Sequence, residues 1–158
     1  MKKGFISILT LLIFLALTLT TSFIYEQNEN TSQYISDLYN KKQAQYLAET
    51  VLNIYIDENY ENIKEKILND EKSYISNKNK SYWLSENEKI SYEGKNYYFK
   101  IAYMYRRDEE KLSDVYRIET SKIEVGDSIA RAEAIFKVID TEGNSGQKDI
   151  KLMAKYTY

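Results

Sequence analysis

The chain of 158 residues contains no cysteine, no histidine and no proline, and it has only five glycines. Without cysteine it can form no disulfide, no thiolate metal site and no thiol chemistry. That says nothing of compartment, because exported domains need not use disulfides. Without histidine it lacks the commonest general base and metal ligand. Any catalysis would have to rest on carboxylates, lysines and tyrosines, and no nucleophile–base set stands out among them, so the chain is not expected to be an enzyme. No cofactor or metal is expected either. A strong excess of one charge is also missing. Twenty-two basic residues nearly balance 24 acidic ones, which argues against a nucleic-acid partner. From Phe5 to Glu93 there is neither glycine nor proline, so the usual helix breakers are absent for more than half the chain.

Tyrosine, by contrast, is abundant, at sixteen residues. Its plain reading is a half-buried residue of sheets and helices, ring inward and hydroxyl outward. A sticky aromatic surface for a partner is the alternative.

Lys2-Lys3-Gly4 stands directly before an uncharged run, Phe5 to Tyr25, with 15 apolar residues and six Ser or Thr. As a helix the run measures about 32 Å, enough to cross a hydrocarbon core of ~30 Å. The two lysines place the N-terminus in the cytoplasm and the following domain outside, by the positive-inside rule. Three readings fit such a run: a signal peptide that is removed, a permanent signal anchor, or a prepilin segment. It exceeds the ~7–15 residues of a typical signal h-region, and Leu17-Thr18-Leu19-Thr20 offers no Ala-x-Ala site, which counts against removal as a signal peptide.

Lys2-Lys3-Gly4-Phe5-Ile6-Ser7-Ile8-Leu9 resembles the class III leader of type IV pilins, which is short and basic, ends in glycine and precedes a hydrophobic residue. The resemblance implies cleavage between Gly4 and Phe5 by a membrane prepilin peptidase, followed by N-methylation of Phe5. It also implies that the apolar helix is kept, first as a membrane anchor and then within a filament core among other pilin subunits and the assembly machinery. Most pilins carry glutamate at the fifth mature position, where this chain has Leu9. A neighbour's buried amine would there lack its carboxylate, a costly arrangement. Leu9 therefore points to a minor pilin or pseudopilin of the PilX type. Lys42 to Leu52 similarly resembles the alanine-rich stretch that follows the membrane segment in such proteins, with Ala48-Glu49 and Leu52 in the matching places.

The remaining pattern gives an α+β fold: a long N-terminal helix, half transmembrane and half amphipathic, packed on an antiparallel meander of about four strands. The expected organisation is a leader over 1–4, a membrane or filament-core helix over 5–25, and an extracytoplasmic domain over 26–158. In that domain helices extend to about 80 and sheet covers about 95–158. Residues 26 to 43 are polar apart from Tyr34, Leu38 and Tyr39. Ala44, Leu47, Ala48, Val51 and Leu52 then recur at three- and four-residue spacing, an apolar face suited to packing on a sheet. Asp57-Glu58-Asn59-Tyr60 can cap a second helix with Ile63 and Ile67 on its inner face. Trp83, in a loop, is expected to plug the core, with a binding anchor as the alternative.

Past Gly94 the period becomes two. Tyr97, Phe99, Ile101, Tyr103 and Tyr105 form one inward face. Val115 to Val125 is a second strand with a bulge near Thr120. A hairpin turns at Val125-Gly126-Asp127-Ser128. Ala130, Ala132, Ala134, Phe136 and Val138 face inward from a third strand, and Ile150, Leu152, Ala154, Tyr156 and Tyr158 from a fourth. Asp140, Glu142 and Asn144 around Gly143 suggest a calcium loop. Ser145 and Lys151 occupy the places an EF-hand gives to glycine and glutamate, so a plain turn is the default. Arg106-Arg107 with Asp108 to Lys111 reads as a solvated connection. Glu49 reads either as an exposed residue or as an intersubunit ion-pair partner.

Overall fold

The computed structural model describes residues 2–70, 81–104, 115–140 and 148–158, with side chains from residue 6 onward. It is an α+β molecule whose contacts divide it into two units, Met1–Asn40 and Lys41–Tyr158. One helix, α1 (Lys2–Leu68), contributes to both. Five strands form an antiparallel sheet in the order β1-β2-β3-β6-β7: β1 (Tyr82–Tyr92), β2 (Lys95–Met104), β3 (Val115–Thr120), β6 (Ala132–Asp140) and β7 (Lys148–Thr157). Between β3 and β6, β4 (Ile123–Val125) and β5 (Ser128–Ala130) pair as a separate two-stranded sheet.

The length of α1 follows from the missing breakers. Its one irregularity is Asn59, whose backbone leaves helical values (φ −117°, ψ 15°), while its side-chain amide donates to the Tyr55 carbonyl at 3.0 Å. The second helix expected from Asp57–Tyr60 is therefore the continuation of the first past a kink. Further on, an added strand occupies Tyr82–Tyr92, where a loop was read and sheet was expected only from about 95. The alternation in β1 is obscured because the strand is interrupted twice, with register shifts between Trp83 and Ser85 and between Ser85 and Glu88. The turn into β2 places Glu93 (φ 49°) and Gly94 (φ 75°) both at positive φ, the requirement of a two-residue type I′ hairpin.

The core lies between the Ala44–Ile67 face of α1 and one face of the five-stranded sheet. Ala44, Ala48, Val51, Leu52, Tyr55, Ile63 and Ile67 are buried against Phe99, Ile101, Tyr103, Tyr116, Ile118, Ala134 and Phe136. Small residues stand on both partners, Ala44 and Ala48 on the helix and Ala132 and Ala134 on β6, all fully buried. Tyr55 of α1 stacks flat on Phe99 of β2, ring centroids 4.1 Å apart and planes 8° from parallel.

Four expectations need correction. Val115–Val125 is not one bulged strand. The chain leaves the main sheet after Thr120, whose hydroxyl accepts the Ala132 amide at 3.0 Å, and Ile123–Val125 joins the small sheet. Ala130 likewise belongs to β5, with Arg131 separating it from β6. In β7 the inward series is wrong beyond Leu152. Ile135 pairs with Ala154 but Phe136 with Leu152, so Met153 is an extra residue that reverses the parity. Lys155 and Thr157 share the helix side with Ala134 and Ala132, and Lys155 donates to the Asn53 side chain of α1. Ala154, Tyr156 and Tyr158 turn to the opposite face. Finally, Trp83 is no plug. It stays 39% exposed, with the Lys100 ammonium 5.0 Å from its ring centroid.

The full burial of Ala48 makes a size prediction. Ala48→Leu should destabilise the chain by about 1–3 kcal/mol, because the packed site has no room for the added atoms. Glu49→Leu, one position along at an exposed site, should change stability by less than about 0.5 kcal/mol. Denaturant titration of the full chain in detergent micelles, followed by tryptophan fluorescence, measures both.

Candidate functional site

In the unit Met1–Asn40 every side chain from Ile6 to Tyr39 is exposed. The apolar stretch has a mean hydropathy of 2.2 over its best window and is long enough to cross a membrane; none of that window is buried within the chain. A core helix of a soluble domain would meet the length and composition test but would be buried. Burying one Leu, Ile or Phe side chain contributes about 1.5–3 kcal/mol, so this surface calls for lipid or other protein as its surroundings. The threonine hydroxyls inside it are already satisfied. Thr10, Thr18, Thr20 and Thr21 each donate to the carbonyl four residues back, at 2.5–2.9 Å, and Thr31 does the same at 2.8 Å. Back-bonding of this kind lets threonine sit in an apolar environment without an orphan donor.

The residues singled out in the sequence fall as follows. Gly4 and Phe5 lie in the first turn of α1. Leu9 is 48% exposed and outside the core. Ala44, Ala48, Val51 and Leu52 are buried, and Leu47 packs at the margin of the core. Glu49 is exposed. The calcium-loop candidate lies outside the described residues except for Asp140, which is exposed at the end of β6. The Arg106–Lys111 connection lies outside them entirely. Among the described residues no three acidic side chains gather as a metal would require.

What sequence reading missed are the long-range polar contacts that fasten α1 to both sides of the sheet. On the β1 side, Lys66 pairs with Glu88, which also accepts from the Ser85 hydroxyl at 2.6 Å. On the β7 side, Lys64 pairs with Asp149 at 2.9 Å, and the Tyr60 hydroxyl donates to the Ile150 carbonyl at 3.3 Å. Just past the helix, the buried carboxylate of Asp70 accepts from the hydroxyls of Tyr82 and Tyr116, the latter at 3.1 Å. Tyr103 stacks on Tyr82 and meets Tyr116 edge-on, so the polar latch has an aromatic wall. None of these partners is a helix neighbour, so no spacing along the chain announces them.

Electrostatics follow from these contacts. Burial pushes the Glu88 carboxyl upward, but hydrogen bonds from Lys66 and Ser85 outweigh it and hold Glu88 below its usual range. Hydrogen bonds from Lys64 and the Ile150 amide lower Asp149, and the Asp149 contact raises Lys64. Burial, with Glu88 nearby, drives the Tyr55 hydroxyl well above the ordinary tyrosine range. On the outer face of the sheet, Glu119 and Glu133 are directly opposed across β3 and β6. Arg117 lies between them, 3.1 Å from Glu119 and 3.6 Å from Glu133, and offsets a like-charge pair that would otherwise repel. These arrangements join helix to sheet and strand to strand, and Lys66, Asp70, Tyr82 and Ser85 line a cavity of about 290 Å³ at the end of the helix.

Comparison with protein-family models, with curated proteins and with solved structures gave no match.

Two predictions follow from the charge contacts. Carboxylates held low stabilise the fold above their unfolded pKa values, near 4.5 for Glu88 and 3.8 for Asp149, and that contribution disappears as pH falls through the lower folded values. Lys64, held high, contributes below 10.5 and loses its effect as pH rises through its folded value. The melting temperature should therefore fall on the acid side below pH ~4.5, and the acid limb should be shallower in Glu88→Gln. Separately, Arg117→Leu should cost about 1–3 kcal/mol by leaving two carboxylates facing each other. Adding Glu133→Gln should recover part of that loss in a double-mutant cycle.

Proposed function

We propose that the chain is a structural minor subunit, a minor pilin or pseudopilin, of a type IV pilus or a related secretion or competence pseudopilus. The observation that carries this reading is a division of labour within one breaker-free helix. An apolar stretch with no burial inside the chain is followed, without a glycine or proline linker, by a face buried on an antiparallel sheet. A generic anchored domain is more often joined to its anchor by a flexible linker. Lys2-Lys3-Gly4-Phe5 before the apolar run supplies the leader.

On this reading prepilin peptidase cuts after Gly4 and methylates Phe5. The helix then holds the subunit in the membrane as a single pass, N-terminus cytoplasmic and domain extracytoplasmic. Withdrawal of 15 apolar residues from lipid would cost on the order of tens of kcal/mol at ~1.5–3 kcal/mol each. The same surface must therefore be buried again among neighbouring helices as it leaves, which couples release from the membrane to assembly. Leu9 cannot supply a counter-charge to an incoming N-terminal amine, and this suits a scarce subunit that primes assembly or occupies the tip. The partners are other pilin subunits, the assembly machinery and prepilin peptidase.

The mass of the N-terminal peptide, taken from native membranes, is the direct test. A peptide beginning at Phe5 and carrying one added methyl group is expected. One beginning at Met1 overturns the proposal and leaves a signal-anchored binding or sensor domain that never polymerises. Gly4→Leu should accumulate as uncut precursor and vanish from sheared surface filaments. Unchanged processing in that variant would also count against the reading.

A further inference from the structure

The outward backbone groups of β7, an edge strand of the five-stranded sheet, are treated unevenly along its length. Arg131 and Tyr158 exchange both backbone hydrogen bonds, at 2.8 and 3.0 Å. Alternation from that pair turns the amides and carbonyls of Thr157 and Lys155 away from β6, and beyond the Met153 bulge those of Leu152 and Ile150. At Ile150 both groups are capped. Its amide donates to its neighbour Asp149 at 2.8 Å, and its carbonyl accepts from Tyr60 of α1. Capping stops there. The edge groups of Leu152, Lys155 and Thr157 have no hydrogen-bond partner among the described residues.

We propose that the Leu152–Thr157 edge of β7 takes an extended acidic segment of a partner polypeptide as a sixth strand of the sheet. The open stretch is six residues, about 20 Å of strand, a length over which strand addition gives several main-chain bonds. Charge selects the occupant. Lys151 is exposed, and the Lys155 ammonium keeps donors beyond the one it gives Asn53. The strand's one acidic side chain, Asp149, is already engaged by Lys64. Exposed Leu152 (40%) and Met153 (56%) give the incoming strand apolar contact between its acidic positions. A second copy of this chain is disfavoured on both of its edges. β7 against β7 would bring lysines together, and the two register shifts of β1 do not match the single Met153 bulge of β7, which a flexible partner segment can follow. Lysines and a bulge ordinarily blunt an edge against self-association. Here they bar like from like while leaving six residues open to a strand of opposite charge. The inference stands on the sheet alone and does not depend on the filament reading.

Amide hydrogen exchange on the full chain in detergent micelles tests it, with a short blocked peptide repeating Glu-Glu-Val-Val as probe, which places acids on both faces of a strand as Lys151 and Lys155 require, and its lysine–valine counterpart as control. Saturating acidic peptide should slow exchange at Leu152, Lys155 and Thr157 by about tenfold or more, and the lysine peptide should not. Thr157→Pro removes one edge donor and should weaken binding roughly threefold to tenfold. Lys151→Glu, a fully surface change, should weaken the acidic peptide by a similar factor and strengthen the lysine one. Equal protection by both peptides, protection confined to other residues, or no protection at all overturns the proposal. So does edge protection that grows with protein concentration in the absence of peptide, which would mean a second copy is the occupant.

Discussion

The face of α1 from Ala44 to Ile67 must lie on the sheet, and the rest of the described domain depends on that contact. The strands present one apolar surface, and without the helix Phe99, Ile101, Ile118 and Phe136 would face water. Fully buried alanines on both layers and the Tyr55–Phe99 stack belong to this contact. The chain contains no disulfide, so packing with its peripheral polar contacts is what holds the sheet to the helix.

Those contacts are distributed with a purpose. Lys66–Glu88 and Lys64–Asp149 fasten the second part of α1 on the sides of β1 and β7, and Asp70 draws Tyr82 and Tyr116 together beyond the helix. Exposed ion pairs contribute little singly. Their value here is geometric, because they fix where the helix ends over a sheet whose apolar face would tolerate some sliding. The same contacts cap the edge of β7 at Ile150 and so mark where its open portion begins.

The unit Met1–Asn40 obeys a different rule. Its side chains from Ile6 to Tyr39 are exposed, and its threonines satisfy themselves against their own helix. Its apolar surface is long enough to cross a membrane, so its role depends on what that surface meets.

The sequence by itself determined the helix, its apolar stretch and the sheet-facing series Ala44, Ala48, Val51 and Leu52, because helical and strand periods are local properties that burial on one face imposes directly. It likewise determined the inward face of β2 and of Ala132 to Phe136. Only the tertiary structure decided the contour of the sheet. Two register shifts hid β1 as a loop, the Met153 bulge reversed the faces of Tyr156 and Tyr158, and the chain left the main sheet after Thr120 to form a second hairpin. A one-residue slip exchanges the two faces of a strand without altering its composition, so no reading of alternation alone could place it. The latch at Asp70, the helix-to-sheet ion pairs and the open edge of β7 were hidden for a related reason. Each joins or exposes groups far apart in the chain, and only the folded pairing of strands says which donors remain to be used.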